Sequence, residues 1–151
     1  MTVQDIMPPA SATAWRGFRL ALILNLLWIN ASEIFRYFVF VMPMMRDAFP
    51  MVDGVAPMNL PVFLVWGAWD TVLVVAACVI CWLVLDRFGP SLRNALIAGT
   101  LVWATAFVIL WLGLFNMGLA TGAVMAVALP LAWIEMAVAA LIVGWAMRRR
   151  N

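Results

Sequence analysis

Residues 60–85 read LPVFLVWGAWDTVLVVAACVICWLVL, twenty-six positions with one charged side chain, Asp70. An α-helix rises ~1.5 Å per residue, so about 20 residues cross the ~30 Å hydrocarbon core of a bilayer. The run is long enough to do so alone. Backbone polar groups in hydrocarbon must be satisfied within the segment, and the run lacks the ten-residue alternation of a barrel strand, so its reading is a membrane-spanning helix.

Three further apolar segments share this character, at about 17–42, 93–115 and 120–146. The 151-residue chain is 68% hydrophobic and 11% charged, with mean hydropathy +1.08. A soluble domain carries roughly 25% charged residues, and one soluble core of this size could not hide so much apolar surface. The expected fold is an all-α integral membrane protein, a four-transmembrane-helix bundle. A short cytoplasmic tail (1–14) precedes the transmembrane domain (15–147, helices about 17–42, 60–85, 93–115 and 120–146), and a basic end (148–151) follows it. The first apolar run continues to about Val41, too long for the apolar region of a signal peptide, so it is expected to be retained as a span.

The basic residues set the expected orientation. All nine are Arg. Arg16, Arg19, Arg87, Arg93, Arg148, Arg149 and Arg150 flank one side, and only Arg46 flanks the other, beside Asp47 and Asp53. By the positive-inside rule both termini are expected in the cytoplasm, with the protein in the cell (cytoplasmic or inner) membrane. The second outer turn, near NMGLATG (116–122), is short, so the third and fourth helices should form a tight hairpin. LALILNLLWINA (20–31) resembles NALIAGTLVWATA (94–106), setting Trp28 against Trp103, and two parallel helical-hairpin repeats are one expectation for the bundle.

Four charged side chains fall within the spans: Glu33, Arg36, Asp70 and Glu135. Polar groups at bilayer depth are costly and normally face a bundle interior or a wet cavity. At 100° per residue, Asn25, Ser32 and Arg36 form one stripe of the first helix, with Asn30, Glu33 and Tyr37 beside it. Glu33 and Arg36, three apart, can pair directly. Glu33 and Asp70 each lie about ten residues inside an outer helix end, hence at similar depth. Pro130 withdraws a backbone bond near Glu135 and favours a kink. Three acids against one base leave surplus negative charge when all are ionised, which burial disfavours.

The candidate ligand- or proton-binding set is therefore Glu33, Arg36, Asp70 and Glu135, with Asn30, Tyr37 and Thr71 as hydrogen-bond partners. Three roles fit it: a transport or ligand site for a small cationic or amphipathic ligand, structural glue between helices, or contact with another subunit. The expected function is non-enzymatic transport or small-ligand binding, alone or as a homo-oligomer; the alternative is an accessory or assembly subunit of a larger membrane complex. The expected partner in every case is the lipid bilayer.

Other motifs carry less. With no His, the usual haem and zinc ligand sets and imidazole acid/base chemistry are missing, and no catalytic residue, metal site or cofactor is expected. Cys78 and Cys81 form a CxxC inside a span. Quinone-linked disulfide-forming membrane proteins, also four-helix, need a second, exposed pair, so these two read as small buried hydrophobes. The methionines near MPMM (42–45) raise Cu(I) handling, against a simpler apolar loop dipping into the interface. Deep tryptophans, Trp28, Trp66, Trp69, Trp103, Trp111 and Trp133, either pack the core or line an aromatic pocket. Gly118 and Gly122 have GxxxG spacing. The terminal RRR reads as an inner-leaflet anchor, and nothing in its context favours nucleic-acid binding.

Overall fold

In a computed structural model describing residues 12–149, the chain is an all-α four-helix bundle with no strand among those residues. Four helices are long and apolar enough to cross a membrane, making this a multi-pass membrane protein. The first comprises Ala12–Arg36, a π-helical turn Tyr37–Val41 and a last segment Met42–Ala48. The second is Leu60–Phe88. The third comprises Leu92–Trp103, a π-helical turn Ala104–Val108 and Ile109–Asn116. The fourth is Gly122–Arg148.

Two expectations need correction at the first helix. It begins before residue 17, so residues 12–14 of the expected tail are helical; the rest of that tail, and Arg150 of the basic end, lie outside the described residues. It also continues past residue 42 to Ala48, with Pro43 in its last segment. Proline has no N–H to give an upstream carbonyl. The preceding turn instead closes with wider π-type bonding, the Met42 N–H reaching the Tyr37 carbonyl, so the helix passes the proline without ending.

The starts of the other three helices are capped by short polar side chains. Asn59, Ser91 and Thr121 each accept a bond from the backbone N–H three residues on, at 3.1, 3.2 and 3.4 Å, satisfying a donor that a helix start otherwise leaves orphaned. The third helix ends in a Schellman arrangement: Gly118, at φ +71°, donates to the Phe115 carbonyl, and the Leu119 N–H bonds the Leu114 carbonyl at 2.9 Å. Gly118 therefore serves the turn. A Cβ on Gly122 would meet nothing within 4 Å, so the GxxxG pair makes no close helix contact.

The start of the first helix, the end of the fourth and the 89–91 connection lie at one end. Arg148 Nη1 donates to the Pro90 carbonyl at 2.7 Å, and Gly17 faces the Ala146 backbone. Packing is tight in this half. Lipid is as apolar as Leu, so burial does not drive helices together there; close van der Waals approach does, and small residues permit it. The buried positions are accordingly rich in alanine, glycine and cysteine, such as Ala77, Cys81, Ala98, Gly99, Ala139 and Gly144. The third and fourth helices pack most closely, as the short outer turn implied. They come close at Gly99, where an added Cβ would lie 2.6 Å from the Met136 carbonyl oxygen. Gly99→Ala is expected to destabilise the bundle by about 1–3 kcal/mol through overpacking. Gly113→Ala, on the same helix with nothing within 4 Å, is expected to be neutral or stabilising. Thermal unfolding of the two variants in detergent checks the contrast.

The far half is looser. Along the start of the second helix, Leu60, Leu64 and Val65 are at least 62% exposed, and Trp69 is 56% exposed. The helices splay there and leave a cavity between the first, second and third.

Candidate functional site

The stripe Asn25, Ser32 and Arg36 faces the fourth helix. Asn25, fully buried, donates its amide to the Ala139 carbonyl at 3.2 Å and to Cys78 Sγ at 3.3 Å. Ser32 Oγ donates to Glu135 Oε2 at 3.0 Å. Trp28 Nε1 donates to the Glu135 backbone carbonyl at 3.0 Å. Glu135 is itself fully buried, just over one helical turn beyond Pro130.

Arg36 joins the stripe to the neighbouring polar arc. Its Nη2 donates to Glu33 Oε1, the i,i+3 pair expected from spacing, and its Nη1 lies 3.8 Å from Glu135 Oε2. The guanidinium also sits over the Phe107 ring, 4.8 Å from its centroid, where the negative π-face attracts a cation. Each π-helical turn touches this arrangement. One begins immediately after Arg36, and the other carries Phe107. A π-turn inserts a residue and rotates the rest of the helix about its axis, which is why such turns recur at functional positions.

Above this floor lies a cavity of about 340 Å³, within the usual size range of small-molecule sites. Glu33, Arg36 and Asp70 line its deep end. Tyr37, Trp66, Trp69 and Trp111 supply aromatic wall, and Met45, Ala56, Pro57 and Met58 line it near the 49–59 connection. Tyr37 and Trp66 approach with ring centroids 6.1 Å apart. Arg46 Nη2 donates to the Ala56 carbonyl at 3.2 Å, tying that connection back to the first helix. Gly67 borders this space, and a Cβ there would meet nothing within 4 Å.

Of the candidate set, Asn30, Glu33, Arg36, Tyr37 and Asp70 line the cavity together. Glu135 stands behind Arg36 and does not line it. Asn30 spends its amide on the Leu26 carbonyl of its own helix, at 2.8 Å. Thr71 does not join the cluster; its hydroxyl bonds back to the Gly67 carbonyl at 2.8 Å, a common habit of helical Thr. Two acids keep a buried oxygen without a hydrogen-bond partner among the described residues: Glu135, at Oε1, and Asp70, at Oδ1. Asp70 is 7% exposed. Arg36 Nη2 and Glu33 pair, while Arg36 Nη1 makes no hydrogen bond among the described residues; of the two acids with an unbonded oxygen, Asp70 is the one that lines the cavity.

The deep tryptophans divide between packing and cavity lining. Trp28, Trp103 and Trp133 donate across helix interfaces, the last two to the Leu129 carbonyl at 2.8 Å and Thr100 Oγ1 at 3.0 Å. Trp66, Trp69 and Trp111 line the cavity. Cys78 and Cys81 are buried, free thiols in the tight half. Sequence reasoning missed Phe107, which has no polar atom to flag it, and the two π-turns.

No protein-family model, curated protein or solved structure matches the chain.

Proposed function

We propose that this protein sits in the cytoplasmic membrane with both termini inside, and that its cavity faces outward and binds a small amphipathic ligand for transport. The supporting observation is the cavity itself: a mostly apolar, aromatic-walled space with ionised or ionisable groups confined to its deep end. Small-molecule sites have this composition, with a few polar groups fixing orientation among apolar contacts. Intramembrane charges facing such a space mark ligand and ion paths. The orientation rests on the arginines at the terminal end. Glu135, Ser32 and Arg36 link the cavity floor to the fourth helix, so a change of charge at Glu33 or Asp70 acts on helix packing, as alternating access requires.

In proteoliposomes carrying an internal pH-sensitive dye, a panel of small amphipathic solutes, charged and neutral, is expected to include some that move protons when added outside. Glu33→Gln and Asp70→Asn are expected to lower that flux at least tenfold. Wild-type liposomes that respond to no solute, or a response unchanged in both variants, would overturn the transport reading.

A further inference from the structure

We infer that the cavity selects a hydrophobic organic monocation, with its charge beside Asp70 and its apolar body against Tyr37, Trp66 and Trp111. The inference rests on the reading of the cavity as a ligand site and adds the chemical class of the ligand.

Charge balance disfavours anions. Two carboxylates, Glu33 and Asp70, and one guanidinium, Arg36, line the cavity, a surplus of one negative charge when both acids are ionised. Arg36 is already engaged. Glu33 holds Nη2, Phe107 covers one face, and Glu135 lies 3.8 Å from Nη1. Arg36 Nη1 makes no hydrogen bond among the described residues, but Glu33 and Glu135 both stand beside the guanidinium and Asp70 adds another negative charge to the lining, so an anionic ligand meets net repulsion. Asp70 has no such partner: it lines the cavity, is more than nine-tenths buried, and its enclosed Oδ1 accepts no hydrogen bond among the described residues. One cation there balances the lining.

The walls then decide between kinds of cation. A small inorganic cation wants several oxygen ligands, six or more for calcium or magnesium, and aromatic rings cannot replace its water. A quaternary or protonated organic ammonium spreads its charge and is held by ring faces, at about 0.5–2 kcal/mol per face. Tyr37, Trp66 and Trp111 reach the cavity from three different helices, so such an ion meets rings from more than one side.

The test uses three probes of nearly one shape: benzyltrimethylammonium, its neutral isostere neopentylbenzene, and phenylmethanesulfonate as the anion. The full chain in nanodiscs is titrated by intrinsic tryptophan fluorescence, with Gly67→Phe, which fills the cavity, as the reference for partition into lipid. The cation is expected to bind saturably and at least tenfold more tightly than the isostere, with no saturable signal from the anion. Asp70→Asn, similar in shape and costing Oδ1 no hydrogen bond, should weaken the cation at least tenfold and leave the isostere unchanged. Trp66→Leu, at a half-exposed position outside the core, should weaken the cation selectively; Asp53→Asn, in the outer connection, should have no effect. If the isostere or anion binds as tightly as the cation, or neither Asp70→Asn nor Trp66→Leu alters cation binding, the monocation inference is overturned, while saturable binding lost in Gly67→Phe still supports a ligand site. If no probe binds saturably to the wild type, both readings fall.

Discussion

Arg36→Ala is expected to cost the bundle about 3–5 kcal/mol, the range for breaking a buried ion pair by removing one partner. Arg36 is 6% exposed. It is bonded to Glu33, stands 3.8 Å from Glu135 and rests on Phe107. No other cation is paired with either acid among the described residues. Removing it leaves two carboxylates facing each other in an apolar interior, and removes the ring contact as well. The loss should therefore shrink when the stranded charge is removed too. Arg36→Ala combined with Glu135→Gln is expected to recover at least half of it, because the amide still accepts from Ser32 and carries no charge. Arg36→Lys should fall between, since an ammonium cannot span both carboxylates as a guanidinium fork does. Unfolding by heat or by sodium dodecyl sulfate in mixed micelles measures all three. Arg36→Ala within 1 kcal/mol of wild type would contradict a floor held together by this ion pair.

Much of this floor is legible in the sequence because it depends on periodicity along one helix. The spacing of Asn25, Ser32 and Arg36 places them on one stripe, and the structure turns that stripe onto the fourth helix. The i,i+3 relation of Glu33 and Arg36 needs no knowledge of the neighbours. Bundle architecture is legible for a similar reason, since span length and turn residues are local properties.

The illegible features depend on rotation and partner choice. In a soluble helix the apolar stripe reveals which face is inward. Here lipid and core are both apolar, so Phe107 on the floor and Leu110 in the wall look in sequence like any lipid-facing neighbour. Gly99 illustrates this directly. Of the described glycines it has the least room for a side chain, yet it carries no motif, whereas Gly118 and Gly122, which have one, serve a turn and open space. The π-turns leave no side-chain signature beyond Pro43 nearby, and they move the register of everything downstream. Adjacency to Asp70 in sequence suggests that Thr71 joins the cluster, but its hydroxyl has a nearer acceptor in its own helix.

In the proposed function an aqueous cavity reaches into the membrane from the side opposite the start of the first helix and the end of the fourth, down to Asp70 and Glu33. Gly67 and Val65 test it from one helix. They lie two residues apart, roughly 200° around the axis. Gly67 lines the cavity with open space at its Cβ, whereas Val65 is 71% exposed and does not line it. A thiol in water ionises and reacts; a thiol in hydrocarbon does not, because the thiolate is the nucleophile. Cys78 and Cys81 are buried and are replaced by Ala to clear the background. Gly67→Cys and Val65→Cys are then exposed, in intact cells, to a membrane-impermeant methanethiosulfonate. An outward-facing aqueous cavity predicts rapid modification of the cysteine at 67, slowed by a bound cavity ligand, and none at 65. Equal reaction at both positions, or modification at 67 only when the reagent is supplied from the cytoplasmic side, would contradict it.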